Sequence, residues 1–520
     1  MASKSIFLRG ASGLIRSLNS WQAALIALSQ LNFLMGLMEL YAWGVVTVRQ
    51  ANYVLAILFS VPLVTILGLV YVLFGIIMPR SGGDYVWTSR TLSPIIGYMV
   101  SFFMLFLGLN WTSLNLWLIG EVFLPGFLYS LGLNNLANVL AQPINALIIA
   151  ELMTLVFTLM FIPRVSFQGK ILNLLFILTF IGWVAALIVE LFPTWHLSSV
   201  LLQYGVSPTA VVSEAESLGF IPGWTITGSL MALPWAMQMW GGWWWAPYAG
   251  GEIQNPKRSM WIAVLGATYI SVALYSILLA LAPRAFGFNL PLALNYIYSL
   301  YPSKYPSSLP PPYYNYLLIM VTSNPILKAL IGWGFLASML FIIPSGFFLA
   351  TRILFAWSFD RVTPEFLGSV SERFHTPVNA TITIGIILGI MAYLQGFTPF
   401  FGYLANLWVI LYFIFMLVSI SAIIFPYKFR NYYNNSPISN WKLANIPALS
   451  IAGIAALIVS AYLEIVTLES PAIGGPISWF SLYTVLVTFV MGGVIYAIFY
   501  IYRRRQGIDL SLVFKEVPPA

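Results

Sequence analysis

Twelve stretches of mainly apolar residues, each about as long as a bilayer is thick, leave this chain few ways to fold. A helix crosses a ~30 Å hydrocarbon core in about 20 residues. Windows of that kind fall at approximately 21–44, 53–78, 93–124, 144–163, 169–192, 224–250, 260–283, 326–357, 378–396, 400–425, 446–468 and 479–502. Backbone polar groups inside lipid must be satisfied within the protein, and runs of this length satisfy them as helices. The expected fold class is an all-α polytopic membrane protein with twelve transmembrane helices. The narrowest division is at 378–425, where only Gly396–Pro399 separates two spans.

Composition agrees. Of 520 residues, 60% are hydrophobic and 7% are charged, against roughly 45–50% and about 25% in an average soluble domain. So few charges cannot cover a water-soluble surface of this size, and disorder requires the opposite balance. The absence of cysteine removes disulfides, thiolate metal sites and cysteine nucleophiles. His196 and His375 both fall in loops, and there is no His-Glu-x-x-His or nucleotide-binding Gly-x-x-x-x-Gly-Lys pattern. No metal site, no organic cofactor and no enzymatic activity are therefore expected.

The net charge of +8 reads as membrane orientation rather than nucleic-acid binding. With both termini in the cytoplasm, Lys4, Arg9, Arg16, Arg80, Arg90, Arg164, Lys170, Lys257, Arg258, Arg352, Arg361, Arg373, Lys428, Arg430, Lys442, Arg503, Arg504, Arg505 and Lys515 lie inside. Only Arg49, Arg284, Lys304 and Lys328 remain outside, as the positive-inside rule favours. No apolar run of signal-peptide length occurs in 1–20, which reads as a cytoplasmic segment. A core over 21–425 follows, then a cytoplasmic loop at 426–445, two additional helices within 446–502 and a cytoplasmic tail at 503–520. The expected location is the cell membrane. Two outer loops are long, 193–223 and the Tyr- and Pro-rich 284–325. The second is either a plain covering loop or an external lid.

Charge and Gly/Pro inside the spans are the informative exceptions. Gly241-Gly242, followed by Pro247, marks either an unwinding point or close packing by small residues. The first span holds Asn32, Gly36 and Glu39. A carboxylate near mid-membrane costs roughly 2.5–3.5 kcal/mol on insertion scales, so Glu39 should face a cavity or carry a proton. Glu121, Glu151, Glu190 and Glu464 sit nearer the outer ends of their spans and read as snorkelling to water. Trp243, Trp244 and Trp245 point about 100° apart around a helix, so they cannot share one site; Trp243 is nearest the suspected break.

Three loop sequences carry a family resemblance. They are Pro79-Arg80-Ser81-Gly82-Gly83-Asp84-Tyr85, Gly251-Glu252-Ile253-Gln254-Asn255-Pro256-Lys257-Arg258, and the segment from Arg352 through Asp360-Arg361 to Thr376-Pro377-Val378-Asn379. In this order, each at the inner end of its helix, they resemble signatures of the amino acid–polyamine–organocation superfamily of transporters. Read without the resemblance, Ser81, Gly82 and Gly83 form a tight turn, Asp84 accepts hydrogen bonds, and Asn255-Pro256 stops the sixth helix. Ser81, Gly82, Gly83, Asp84, Glu252, Asn255, Pro256 and Arg352 then either hold an inner gate or serve as plain cytoplasmic turns.

The resemblance implies a LeuT-type fold: two inverted five-helix repeats, at approximately 21–192 and 224–425, plus two C-terminal helices. It implies breaks in the first and sixth helices, with substrate held near Met35, Gly36, Leu37 and Met38 and near Trp240, Gly241, Gly242 and Trp243. Trp240 would resemble the aromatic that closes over the substrate. The chain departs from the family in having one glycine at the first break, which is placed at Gly36 and its neighbours. It also lacks a lysine inside the fifth span, since Lys170 lies near the end and Thr179 occupies the matching position.

The expected function is a secondary active transporter moving an amino acid or a related small organic amine by alternating access. The alternatives are a polyamine or organic-cation transporter, an amino acid exchanger, and a transporter-like sensor or channel. Glu39 either caps the second half of the first helix, carries a proton or anchors a cationic substrate. The hydroxyls of Ser338 and Ser345 either bind sodium or bond back to their own helix. The coupling ion, H+ or Na+, and the oligomeric state stay open.

Overall fold

The computed structural model describes residues 12–44, 48, 50–399, 407–469 and 479–518. Lys4, Arg9, Arg49 and the start of the tenth window (400–406) lie outside them. Among the described residues, eleven helices are long and apolar enough to cross a membrane, and they fall on eleven of the twelve windows. The sixth window is not a continuous helix. It holds two short helices, Ile226–Met231 and Leu233–Met239, then turns over 240–244, and it ends in 3-10 turns at Ala246–Tyr248 and Gly250–Glu252. Gly241-Gly242 and Pro247 explain this: glycine is a poor helix former and proline has no N–H to donate.

Local chemistry sets where helices begin. The first span starts with a capping box, in which the Asn19 side chain accepts from the Gln22 amide and the Gln22 side chain accepts from the Asn19 amide. Asn52 and Asn324 cap the second and eighth spans, each side chain accepting from two backbone amides of the first turn. Pro256 opens the seventh after Asn255, which takes a left-handed conformation at φ 44°. The eleventh helix (Ala448–Glu469) packs on the tenth and the twelfth (Trp479–Arg505) on the third.

Fifth and eighth spans cross without side chains between them. A Cβ on Gly334 would lie 2.3 Å from the Gly182 Cα, and one on Gly182 would lie 2.2 Å from the Gly334 Cα. Small residues at such crossings let backbones approach and gain dispersion contact, the usual source of helix association in lipid.

The long loops fold onto the bundle. Tyr296 donates to the Leu218 carbonyl at 3.1 Å, and Lys304 pairs with Glu214 at 2.6 Å, tying the two loops together. This corrects one expectation. Glu190 does not snorkel: it is fully buried and accepts from the Tyr314 hydroxyl at 2.7 Å. Tyr314 belongs to the loop that folds over the end of the fifth span, and so it closes the route to water. Glu121 and Glu151 do reach the surface. The first and last described residues, Ser12 and Pro518, line the same small cavity at one end of the bundle.

Replacing Gly334 by Ala should separate the fifth and eighth spans and destabilise the protein by about 2 kcal/mol, since neither backbone can yield. Gly126→Ala, whose added carbon meets its neighbours at an ordinary 3.5 Å, should be near neutral. Thermal unfolding of both variants in detergent checks the difference.

Candidate functional site

Asn32 interrupts the first span. The helix Ser20–Leu31 stops there, with Asn32 at φ 4°, ψ 91°, and helix resumes at Met35–Glu39. The break thus lies at 32–34, ahead of the expected Gly36. Asn32 itself seals most of the gap. Its side-chain oxygen accepts from the Leu34 and Met35 amides at 3.4 and 3.2 Å, and its carbonyl accepts from the Gly36 amide at 3.1 Å. Its side-chain NH2 donates to the Ser338 carbonyl of the eighth span at 2.5 Å. From the seventh span, the Tyr275 hydroxyl lies within hydrogen-bonding distance of the Leu31 and Asn32 carbonyls, at 3.0 and 2.6 Å. Backbone groups freed in a membrane interior need such partners. Gly36 is needed because a Cβ there would lie 1.8 Å from the Tyr275 oxygen.

The sixth span breaks opposite. Gly242 sits at φ +118°, a conformation that favours glycine, and a Cβ would lie 2.3 Å from the Gln30 Cβ in the first span. The two interruptions therefore meet at Gln30, two residues before Asn32.

A cavity of about 380 Å³ opens between them. Its wall follows the first span from Gln30 through Asn32, Met35, Gly36 and Met38 to Ala42, away from the end where Ser12 and Pro518 lie. Glu39 is exposed in it. Trp111, Trp235, Trp408, Tyr275 and Tyr313 supply aromatic walls, and Asn115 and Gln238 supply amides.

The opposite end is sealed. Leu18 pairs with Ile253 and Ser81 with Ala249 as isolated bridges, so leader, sixth span and second span are stitched by backbone. The Gly82 amide donates to the Tyr248 carbonyl at 3.0 Å. Arg352 of the eighth span donates twice to Glu252, at 2.8 and 2.9 Å, with both side chains buried. Arg90 holds Asp360 with two bonds of 2.7 Å, also buried. Paired, bidentate charges of this kind are tolerable in a dry interior, whereas either partner alone is not. Asp84 accepts from the hydroxyls of Tyr248 and Tyr71, at 2.5 and 3.2 Å. Burial pushes its carboxyl up from an ordinary 3.8 to about 7, against the opposing effect of those two hydrogen bonds.

The family model for amino acid permeases matches residues 18–492. The chain belongs to the amino acid permease family. Family membership makes it a multi-pass membrane transporter. Among solved structures, it is similar to a Na+-coupled sialic acid symporter in a substrate-bound outward-open state described as revealing a novel Na+ site. The identity is 12%, the coverage is 87% of this chain and 90% of that one, and the TM-score is 0.48. No curated protein matches the chain.

In this permease the residues expected around the breaks divide into two groups. Met35, Gly36, Met38, Glu39 and Gly241 line the cavity. Leu37, Trp240, Gly242 and Trp243 stand behind its wall, all buried. The Trp240 indole donates to the Ser60 hydroxyl at 2.6 Å, and its ring meets Tyr275 edge-on. Trp243 packs against Tyr71 and Phe415. Glu39 ends the short helix Met35–Glu39 rather than opening it, so the helix-cap reading does not hold. Ser338 and Ser345 bond back to the Phe335 and Ile342 carbonyls at 2.7 and 2.6 Å. Ser81, Gly82, Gly83, Asp84, Glu252, Asn255, Pro256 and Arg352 all gather at the sealed end. Sequence reasoning missed Gln30, Trp111, Asn115, Gln238 and Trp408. Their signal was present, since amides and tryptophans far from the span ends depart from the interfacial pattern.

Two outcomes follow. Gly36→Ala should force the Tyr275 ring off the Leu31 and Asn32 carbonyls. That would expose two buried acceptors at about 1–3 kcal/mol each, read as a lowered unfolding temperature. For Asp84, the folded protein keeps a proton that the unfolded chain has already released between pH 3.8 and about 7. Stability should fall as pH rises through that window, and Asp84→Asn should flatten the slope of unfolding temperature against pH.

Proposed function

We propose that this permease is a secondary active transporter that carries an amino acid or a related small organic amine across the cell membrane by alternating access. The observation that carries this reading is the cavity at the meeting point of the broken first and sixth spans, shut at one end of the bundle. Two inverted five-helix repeats over twelve spans, with both termini in the cytoplasm, complete the reading and agree with the distribution of Lys and Arg. In this arrangement the cavity faces outward and the sealed end faces the cytoplasm.

Met35, Gly36, Met38 and Gly241 would contact the substrate. Trp111, Trp235 and Trp408 take the stacking role that the sequence assigned to Trp240 and Trp243, which brace the wall from behind. Ser81 to Asp84, Glu252, Asn255, Pro256 and Arg352 act as the inner gate. Passage of substrate requires the Arg352–Glu252 pair and the two backbone bridges to part while the outer loops close. Glu39 is the coupling candidate with access to the cavity. The Ser338 hydroxyl donates within its own helix, and the Ser345 hydroxyl faces both its own helix and Gln30 of the first span.

Purified protein in proteoliposomes should show counterflow, the transient uptake of labelled substrate driven by unlabelled substrate inside. Screening amino acids and amines under H+ and under Na+ gradients identifies the coupling ion in the same experiment. A channel or a sensor shows no counterflow, and that result would overturn the reading. Gly241→Val should lower the rate at least tenfold, since a Cβ there already lies 3.3 and 3.4 Å from Trp111 and Trp408.

A further inference from the structure

The cavity is lined by one carboxyl side chain and by no basic one. Among the described residues that line it there is no Lys, Arg or His, and Glu39 is the sole acid. A zwitterionic substrate needs a counterpart for its carboxylate. The natural one is the row of free amides at the start of the second half of the first span, where helix N-termini favour anions. Here those amides are taken: Leu34 and Met35 donate to the Asn32 side chain, and Gly36 donates to the Asn32 carbonyl. A carboxylate could reach them only by displacing Asn32, which also holds the eighth span through Ser338.

The cationic end of a substrate meets the reverse situation. Glu39 is exposed in the cavity, and the rings of Trp111, Trp235 and Trp408 surround the same space. Aromatic faces attract cations more strongly once water is excluded. A cation paired with Glu39 also leaves the site neutral, which a low-dielectric interior favours over a lone charge.

We infer that the substrate of this site is an organic cation without a free carboxylate, its ammonium paired with Glu39 and enclosed by Trp111, Trp235 and Trp408. This rests on the transport reading above and narrows it. The capping of the three amides disfavours an α-amino acid as cargo, and an amine, an amino acid amide or a diamine is favoured.

The test uses matched pairs that differ only in the carboxylate: phenethylamine against phenylalanine, isoamylamine against leucine, and putrescine against ornithine, with phenylalaninamide as a further cation. Binding to the full-length protein in nanodiscs is measured by calorimetry, and counterflow is measured in proteoliposomes. At least one amine should bind at least tenfold more tightly than its amino acid partner, and phenylalaninamide should follow phenethylamine. Glu39→Gln should abolish the preference, and Glu39→Asp, which keeps the charge, should retain it. The unfolding temperature of each variant without ligand separates loss of the site from loss of the fold. Amino acids binding as tightly as their amines, or a preference that survives Glu39→Gln in folded protein, would overturn the inference and leave the transporter reading standing. Neither class binding and neither showing counterflow would overturn both.

Discussion

An interrupted helix inside a bilayer must find partners for the backbone groups it frees, and that requirement organises this molecule. At the first span the partners are local. Asn32 caps the amides ahead of it, and Tyr275 covers the carbonyls behind it. The break is therefore a finished structure with its own hydrogen bonds. What it contributes to the cavity is shape: it offsets the two helical halves and turns Met35, Met38 and Glu39 toward the sixth span.

Satisfaction at the break and closure at the far end belong to one mechanical system. The first span runs from the Leu18–Ile253 bridge to the Asn32 cap, and the eighth runs from Ser338 at that cap to Arg352 at the seal. A tilt of the first span relative to the eighth acts on both places. Three buried carboxylates at the sealed end, Asp84, Glu252 and Asp360, are met by hydroxyls or by Arg forks. Such contacts are directional, so they hold one arrangement firmly and release it as a unit.

Much of this was legible in the sequence. Apolar length located eleven spans, because hydrophobic thickness is a simple constraint. Gly241-Gly242 offered a break or a close-packing contact in the sixth span, and the turns over 240–244 decide for the break. Gly36 misled by a few residues. It is small in order to admit Tyr275, while the break itself is made by Asn32, whose amide looks like any polar residue until its partners are known. Trp240 misled for a related reason: a large aromatic beside a break is equally suited to face the cavity or to brace it, and only Ser60 and Tyr275 decide. Glu190 was misplaced because snorkelling depends on what covers a helix end, and the Tyr314 loop is distant in sequence.

The absence of cysteine permits a direct measurement of where the cavity lies and what fills it. Leu118→Cys places one thiol on the cavity wall, and Ser60→Cys places one behind Trp240. A membrane-impermeant methanethiosulfonate reagent applied to intact cells should modify the first and spare the second, and saturating substrate should protect the first. Equal labelling of both positions, or labelling of position 118 that substrate leaves unchanged, would contradict a substrate cavity between the first and sixth spans.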